Sequence, residues 1–282
     1  MTDIFARALA SELYPYLKQP IVIDNQPGAT QVIGVKSALR APDDGQTLLM
    51  GSVTNLAINV WTQKHLPYDP IKDLAPVGML FTSPQFLVVR SSLRVESVRD
   101  LVALAKARPG EITYASIGVG SSAHLAGELF KSLAGIDIRH IPYKGTSQAI
   151  TDIAAGRVDM LFTGGGLSYV EGDRDRLRIL ATTSTTRSAA APGIPTMQEA
   201  GVPGYEASLW FSLMAPAGTP AAIVEKINHA VNLVLGSQSF KQKTDTLGVD
   251  VTPSTPNQLA ERIQAEIPKW GAVITRLPGG GN

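Results

Sequence analysis

Apolar positions recur along the chain with two periods, one helical and one extended, and the alternation of the two defines the expected elements. Phe5, Leu9 and Leu13 lie on one face of a first helix that Thr2 or Asp3 can cap, and Ile21-Val22-Ile23 reads as a short buried strand. A helix is expected after Gly28, then a turn at Pro42-Asp43-Asp44-Gly45 and a strand from Thr47 to Met50. Ser97, with Asp100 three residues on, starts a capping-box helix whose apolar face is Leu101, Leu104 and Ala105. Strands at 112–116, 138–143, 158–163 and 177–182 enclose helices at 121–134, closed by Gly135, and 147–155. Residues 205–215 form a long extended apolar run suited to a crossover between lobes. Thr219 with Pro220, and Thr255 with Pro256 and Gln258, mark two late helix starts. The Gly-rich tail after Pro278 is expected to be disordered. Such alternation predicts an α/β fold.

Length and charge narrow the class. A chain of 282 residues is long enough for two domains, and 25 Lys and Arg against 24 Asp and Glu leave no field that would draw it to nucleic acid or anionic lipid. The absence of cysteine removes disulfides, thiolate nucleophiles and Cys-ligated metals. No apolar run approaches the roughly 20 residues of a membrane span, and the sequence opens on an amphipathic helix with no export signal.

Candidate chemistry lies in small-residue loops after strands. The stretch Tyr114-Ala115-Ser116-Ile117-Gly118-Val119-Gly120-Ser121-Ser122-Ala123-His124 runs from a strand through a Gly-containing loop into a helix. Its glycines allow close backbone approach, and its free N–H groups and positive helix end suit a carboxylate or phosphate, with Ser121 and Ser122 as hydroxyl donors. The plainer reading carries equal weight: Ser121 caps the helix and the glycines make a turn. Ala123 stands where a dinucleotide fingerprint has its third Gly, which weakens nucleotide binding without excluding it. Gly51-Ser52-Val53-Thr54-Asn55 and Thr163-Gly164-Gly165-Gly166 also follow strands, where ligands of open α/β sheets bind. His65, His124, His140 and His229 form no close metal-ligand pair, so no metal is expected; the expected cofactor is likewise none. Ser121 and His124 share a helix face but lack a nucleophile elbow, leaving an esterase-like enzyme as the alternative to a binding protein. Trp61, Trp210 and Trp270 are expected to pack, with Trp210 also placed to touch a ligand.

Several segments together resemble the Bug family, the substrate-binding proteins of tripartite tricarboxylate transporters. They are Asp24-Asn25-Gln26-Pro27-Gly28-Ala29, 44–52, Leu66-Pro67-Tyr68-Asp69-Pro70 with 72–77, 124–130, His140-Ile141-Pro142-Tyr143-Lys144-Gly145, Pro203-Gly204-Tyr205-Glu206 and 215–220. The resemblance implies a two-lobed type II periplasmic binding protein-like fold, each lobe a mixed sheet flanked by helices, with hinge strands joining them. Residues 1–88 with 210–282 would form a discontinuous first lobe and 89–209 the second. It further implies a non-enzymatic, monomeric periplasmic protein that closes an interlobe cleft on a small carboxylate (a di- or tricarboxylate or an aromatic acid) and presents it to transporter membrane subunits. The implied ligand-binding residues are Thr2 and Asp3, which match the end of the family's Pro-Thr-Asp loop, Ser52 and Thr54, then Ser116, Gly120, Ser121, Ser122 and His124, and Thr163 with Gly164. Three departures bear on this. Met1 stands where the family has Pro, so the signal peptide, first strand and most of the first loop are expected to be missing. Thr30-Gln31 replaces a usual Gly-Gly. Thr163-Gly164-Gly165 replaces a common Asp-Asn pair, which disfavours an amino-acid ligand whose ammonium would need an anion there.

Overall fold

A computed structural model describes residues 2–164, 166–244 and 247–277. The expectations for Gly165 and for the tail from Pro278 lie outside the described residues. The chain divides into two compact units, one of residues 1–82 and 210–282, the other of residues 83–209. Among the described residues no helix is long and apolar enough to cross a membrane.

In chain order the first unit opens with α1 (Thr2–Leu17), α2 (Val32–Ala38), β1 (Leu49–Ser52), α3 (Asn59–Thr62) and β2 (Leu74–Ser83). The second unit follows with β3 (Phe86–Arg90), α4 (Val98–Ala107), β4 (Thr113–Ser116), α5 (Ser122–Ala134), β5 (Arg139–Pro142), α6 (Thr146–Ala154), β6 (Met160–Thr163), α7 (Gly166–Glu171) and β7 (Leu177–Thr182). β8 (Leu209–Pro216), α8 (Ala221–Gly236), α9 (Gln238–Thr244), β9 (Asp250–Val251) and α10 (Pro256–Ile274) complete the chain.

The first unit's sheet has the order β1-β8-β2-β9, with β1 antiparallel to β8 and β2 antiparallel to β9. Period-two alternation along β8 sends its side chains to opposite faces. Phe211, Leu213 and Ala215 join the core that α1 and α8 cover, where the Phe5 and Phe81 rings lie 4.1 Å apart. Trp210, Ser212 and Met214 take the opposite face, where the Arg262 guanidinium of α10 sits 5.5 Å from the Trp210 ring. Trp210 is wholly buried, so it is a packing residue of this unit.

The second unit's sheet has the order β5-β4-β6-β3-β7 and is mixed: β4 runs parallel to β5 and β6, while β3 is antiparallel to β6 and β7. Phe86, Val88, Ala115 and Leu161 pack against Ala149 and Ile153 of α6 on one face. On the other, the Phe162 ring stacks 6.0 Å from Tyr205, whose hydroxyl donates to the Ala126 carbonyl of α5 at 2.9 Å.

Several local expectations need correction. Ile21-Val22-Ile23 is not a strand. Ile21 does pack on the first core while Val22 is exposed, so the in-out alternation is real, but no neighbouring strand pairs with it. The first unit's first strand is Leu49–Ser52, two residues later than Thr47–Met50. Thr2 and Asp3 lie inside α1 rather than capping it. Thr219 does not cap α8: Pro220, in an extended conformation, is itself the residue before the helix, and the Thr219 hydroxyl is buried without a partner.

Candidate functional site

The parallel strands β5, β4 and β6 end along one edge of the second unit's sheet, which is where loops of an open α/β sheet can converge on a ligand. The loop after β4 is shaped by its glycines. Gly118 and Gly120 have φ of 119° and 79°, a region that L side chains disfavour, and space beside both is open. The Ser116 hydroxyl locks the first bend, accepting from the Gly118 N–H at 3.1 Å and donating to the Gly118 carbonyl at 3.0 Å. Ser121 then caps α5: its hydroxyl accepts from the His124 N–H at 3.3 Å and donates to the Gly118 carbonyl at 2.7 Å. Ser121 is therefore committed to the fold of the loop. Among the described residues the Ser122 hydroxyl and the backbone N–H groups of Val119, Ser122 and Ala123 have no hydrogen-bond partner, which leaves a set of donors at the positive end of a 13-residue helix.

Two histidines that sequence spacing kept apart meet beneath this loop. Their ring centroids are 4.2 Å apart, with the Tyr114 ring 5.0 Å from His140. The reason is register. β5 runs parallel to β4 with His140 opposite Tyr114, while α5 returns His124 over the same strand end. Each imidazole has a polar partner in the loop. His124 Nδ1 accepts from the Gly120 N–H at 3.1 Å, which places the ring proton on Nε2. His140 Nε2 lies 2.6 Å from Ser116 Oγ, and the imidazole tautomer sets which of the two donates. Burial, followed by the charge of the neighbouring ring, holds His124 down at about 4. Burial also lowers His140, against the opposing pull of Glu128. The Tyr114 hydroxyl donates to Glu128 Oε1 at 2.5 Å, and Lys131 meets the same oxygen at 3.0 Å.

Thr163 ends β6, adjacent to β4, and is buried; Gly164 beyond it is exposed. Gly166 serves packing, since a Cβ there would lie 2.6 Å from Phe86 Cβ.

A separate polar cluster forms in the first unit. Ser52 is buried at the end of β1, its N–H donating to Asn55 Oδ1 at 2.8 Å and its hydroxyl to Gln31 Oε1 at 2.7 Å. Asn59 donates to the Thr30 carbonyl at 2.9 Å, and Tyr68 to the Asn55 carbonyl at 2.7 Å. The expected Gly-rich loop here is instead strand followed directly by a π-helical turn at Thr54–Ile58. Gly51 sits inside β1 because a Cβ would press on Leu56 and Ser212, so its role is packing. Ala29, Thr30 and Gln31 have consecutive φ of 45°, 50° and 73°, a left-handed run that glycine would adopt without strain. Thr2 is exposed, and Asp3 is held by Arg7 at 2.9 Å and Asn25 at 2.7 Å, outside the cluster of Gln31, Ser52 and Asn59. The Arg7 hydrogen bond, then that of Asn25, keeps the Asp3 carboxyl below its usual range.

His140, Gln31 and Asn59 are site neighbours that the sequence does not single out. The parallel pairing of 113–116 with 139–142 was the available signal for His140. For Gln31 the signal was its place in a left-handed segment usually built of glycine.

Comparison with known proteins agrees with this architecture. The family described as "Tripartite tricarboxylate transporter family receptor" matches residues 5–278. The chain is 38% identical to Protein BugT of Bordetella pertussis over 276 residues, 97% of this chain and 84% of that protein. Among solved structures, R. palustris Rpa4515 with adipate is 35% identical with a TM-score of 0.76, the match covering all of this chain and 94% of that one. MatC from Rhodopseudomonas palustris with bound malate is 29% identical with a TM-score of 0.72, covering 97% and 94%. A receptor-family match across nearly the whole length, joined to two α/β units of periplasmic binding protein type, assigns this chain to the Bug family of tripartite tricarboxylate transporter receptors.

Proposed function

We propose that the protein is an extracytoplasmic receptor that captures a small carboxylate and presents it to the membrane subunits of a tripartite tricarboxylate-type transporter. The observation that carries this reading is the loop 116–122. Unpaired N–H groups and the Ser122 hydroxyl point a neutral, preorganised donor set out of a helix start at the end of parallel strands. Thr163 and Gly164 at the end of β6 are the neighbouring contributors in this unit. Ser52 and Thr54, with Thr2 and Asp3, are the first-unit candidates. Ser116, Gly120, Ser121 and His124 act by holding the loop in shape. Related proteins with bound adipate and malate support a carboxylate as the ligand class.

The arrangement gives an esterase-like reading little to work with. Ser121 meets the backbone N–H of His124 rather than its ring. Ser116 does approach the His140 ring, but it is 1% exposed and its hydroxyl is fully engaged.

Isothermal titration of the full chain with dicarboxylates, tricarboxylates and aromatic acids tests the proposal. At least one should bind with release or uptake of heat. Gly120→Ala, which has room for the methyl group but not the conformation, should weaken that ligand at least about tenfold, since donors misaligned by a bent loop lose charge-assisted hydrogen bonds. Silence across the panel would sink the carboxylate reading.

A further inference from the structure

The loop that presents the donors also presents hydrocarbon. Ile117 is 52% exposed and Val119 68% exposed, and they alternate with Gly118 and Gly120 on the same short segment. Both flank the unpaired Val119 N–H, so an acid bound there meets aliphatic side chains next to its carboxylate. The polar groups around them are neutral. Residues 116–122 include no charged side chain, His124 and His140 are held in the neutral form, and Lys131 is paired with Glu128. Among the described residues that follow β4, β5 and β6 at this edge, the one basic side chain is Lys144, which is exposed to screening solvent rather than buried as a clamp. A helix start supplies about half an elementary charge, which offsets part of one carboxylate and far less of three. Hydroxyl groups on a ligand body would lose water against Ile117 and Val119 without gaining a partner from them.

We infer that this chain selects carboxylates with a hydrocarbon body, aliphatic or aromatic, over hydroxylated dicarboxylates and tricarboxylates, and that Ile117 and Val119 make the selection. The inference rests on the carboxylate-binding reading above and deepens it.

The test is isothermal titration of the full chain with adipate, hexanoate and benzoate against malate, tartrate and citrate at neutral pH. Adipate and malate carry the same charge at neutral pH, so net charge does not enter their ratio. Adipate is expected to bind at least about tenfold more tightly than malate, in line with a gain of about fourfold for each methylene buried. Ile117→Ser with Val119→Ser should remove most of that ratio. Both positions are exposed, so thermal unfolding of the unliganded variant should match the parent and certify its fold. Malate, tartrate or citrate binding as tightly as adipate would overturn the inference while leaving a carboxylate receptor intact. A preference for adipate that survives in the double variant would overturn the assignment to Ile117 and Val119. Binding of none of the six would remove the carboxylate reading itself, and the inference with it.

Discussion

The His124 ring is the residue on which the second-unit loop depends. Its Nδ1 must be unprotonated to accept the Gly120 N–H, and the facing groups, Tyr114, His140, Glu128 and Lys131, offer no net attraction strong enough to reverse the effect of burial. With a folded value near 4 against an ordinary 6.5, the folded state binds fewer protons than the unfolded chain between those limits. The stabilising contribution is therefore complete above about 6.5 and is lost as pH falls from there toward 4. His140, lowered by the same burial, acts in the same direction. Urea unfolding followed at pH 7 and at pH 5 should show a lower midpoint at pH 5. The drop should be smaller in His124→Asn, which cannot take up the proton. An equal drop in parent and variant would assign the pH dependence elsewhere.

At the scale of elements, Asp159 ties three strands of the second unit together at the end away from the loop. Its carboxylate pairs with Arg90 of β3 at 2.8 Å and accepts from the N–H and hydroxyl of Thr113 in β4 at 2.7 and 2.8 Å, from a position directly before β6. Removing it strands a largely buried guanidinium and two donors. Asp159→Ala is expected to cost about 3 kcal/mol, measured by chemical denaturation. A loss below 1 kcal/mol would mean that water replaces the carboxylate without penalty. Elements with side-chain stop and start signals were legible in the sequence. The capping boxes at Ser97 with Asp100 and at Thr255 with Gln258 are both formed, as is the cap at Ser121. What local signals missed depends on partners distant in sequence. Ile21-Val22-Ile23 has strand patterning and no strand to pair with, whereas His124 and His140 meet only through the pairing of β4 with β5. Thr30 and Gln31 stand where the family usually has Gly-Gly, but their positive φ is visible only in the backbone.

At the scale of the molecule, the second unit is one uninterrupted stretch, residues 83–209, with its own mixed sheet and cores on both faces. A segment of that size with a complete core is long enough to fold alone. Expressed separately, it should unfold cooperatively with a defined near-ultraviolet dichroism signal. A fragment that lacks such a signal would show that its side chains need the first unit to order. The first unit offers no such fragment, because its sheet draws strands from both sides of the inserted stretch.

That interleaving sets an order of events during synthesis. β1 pairs with β8 in the register Leu49 to Met214, so the first unit's sheet cannot close until the ribosome has passed Met214, by which time every residue of the second unit has already been made. Non-local pairing of this kind is slow, and chains fold from the amino end as they emerge. The nascent protein thus holds a complete second unit while the edges of β1 still wait for their partner, an interval during which a chaperone has an open strand to hold.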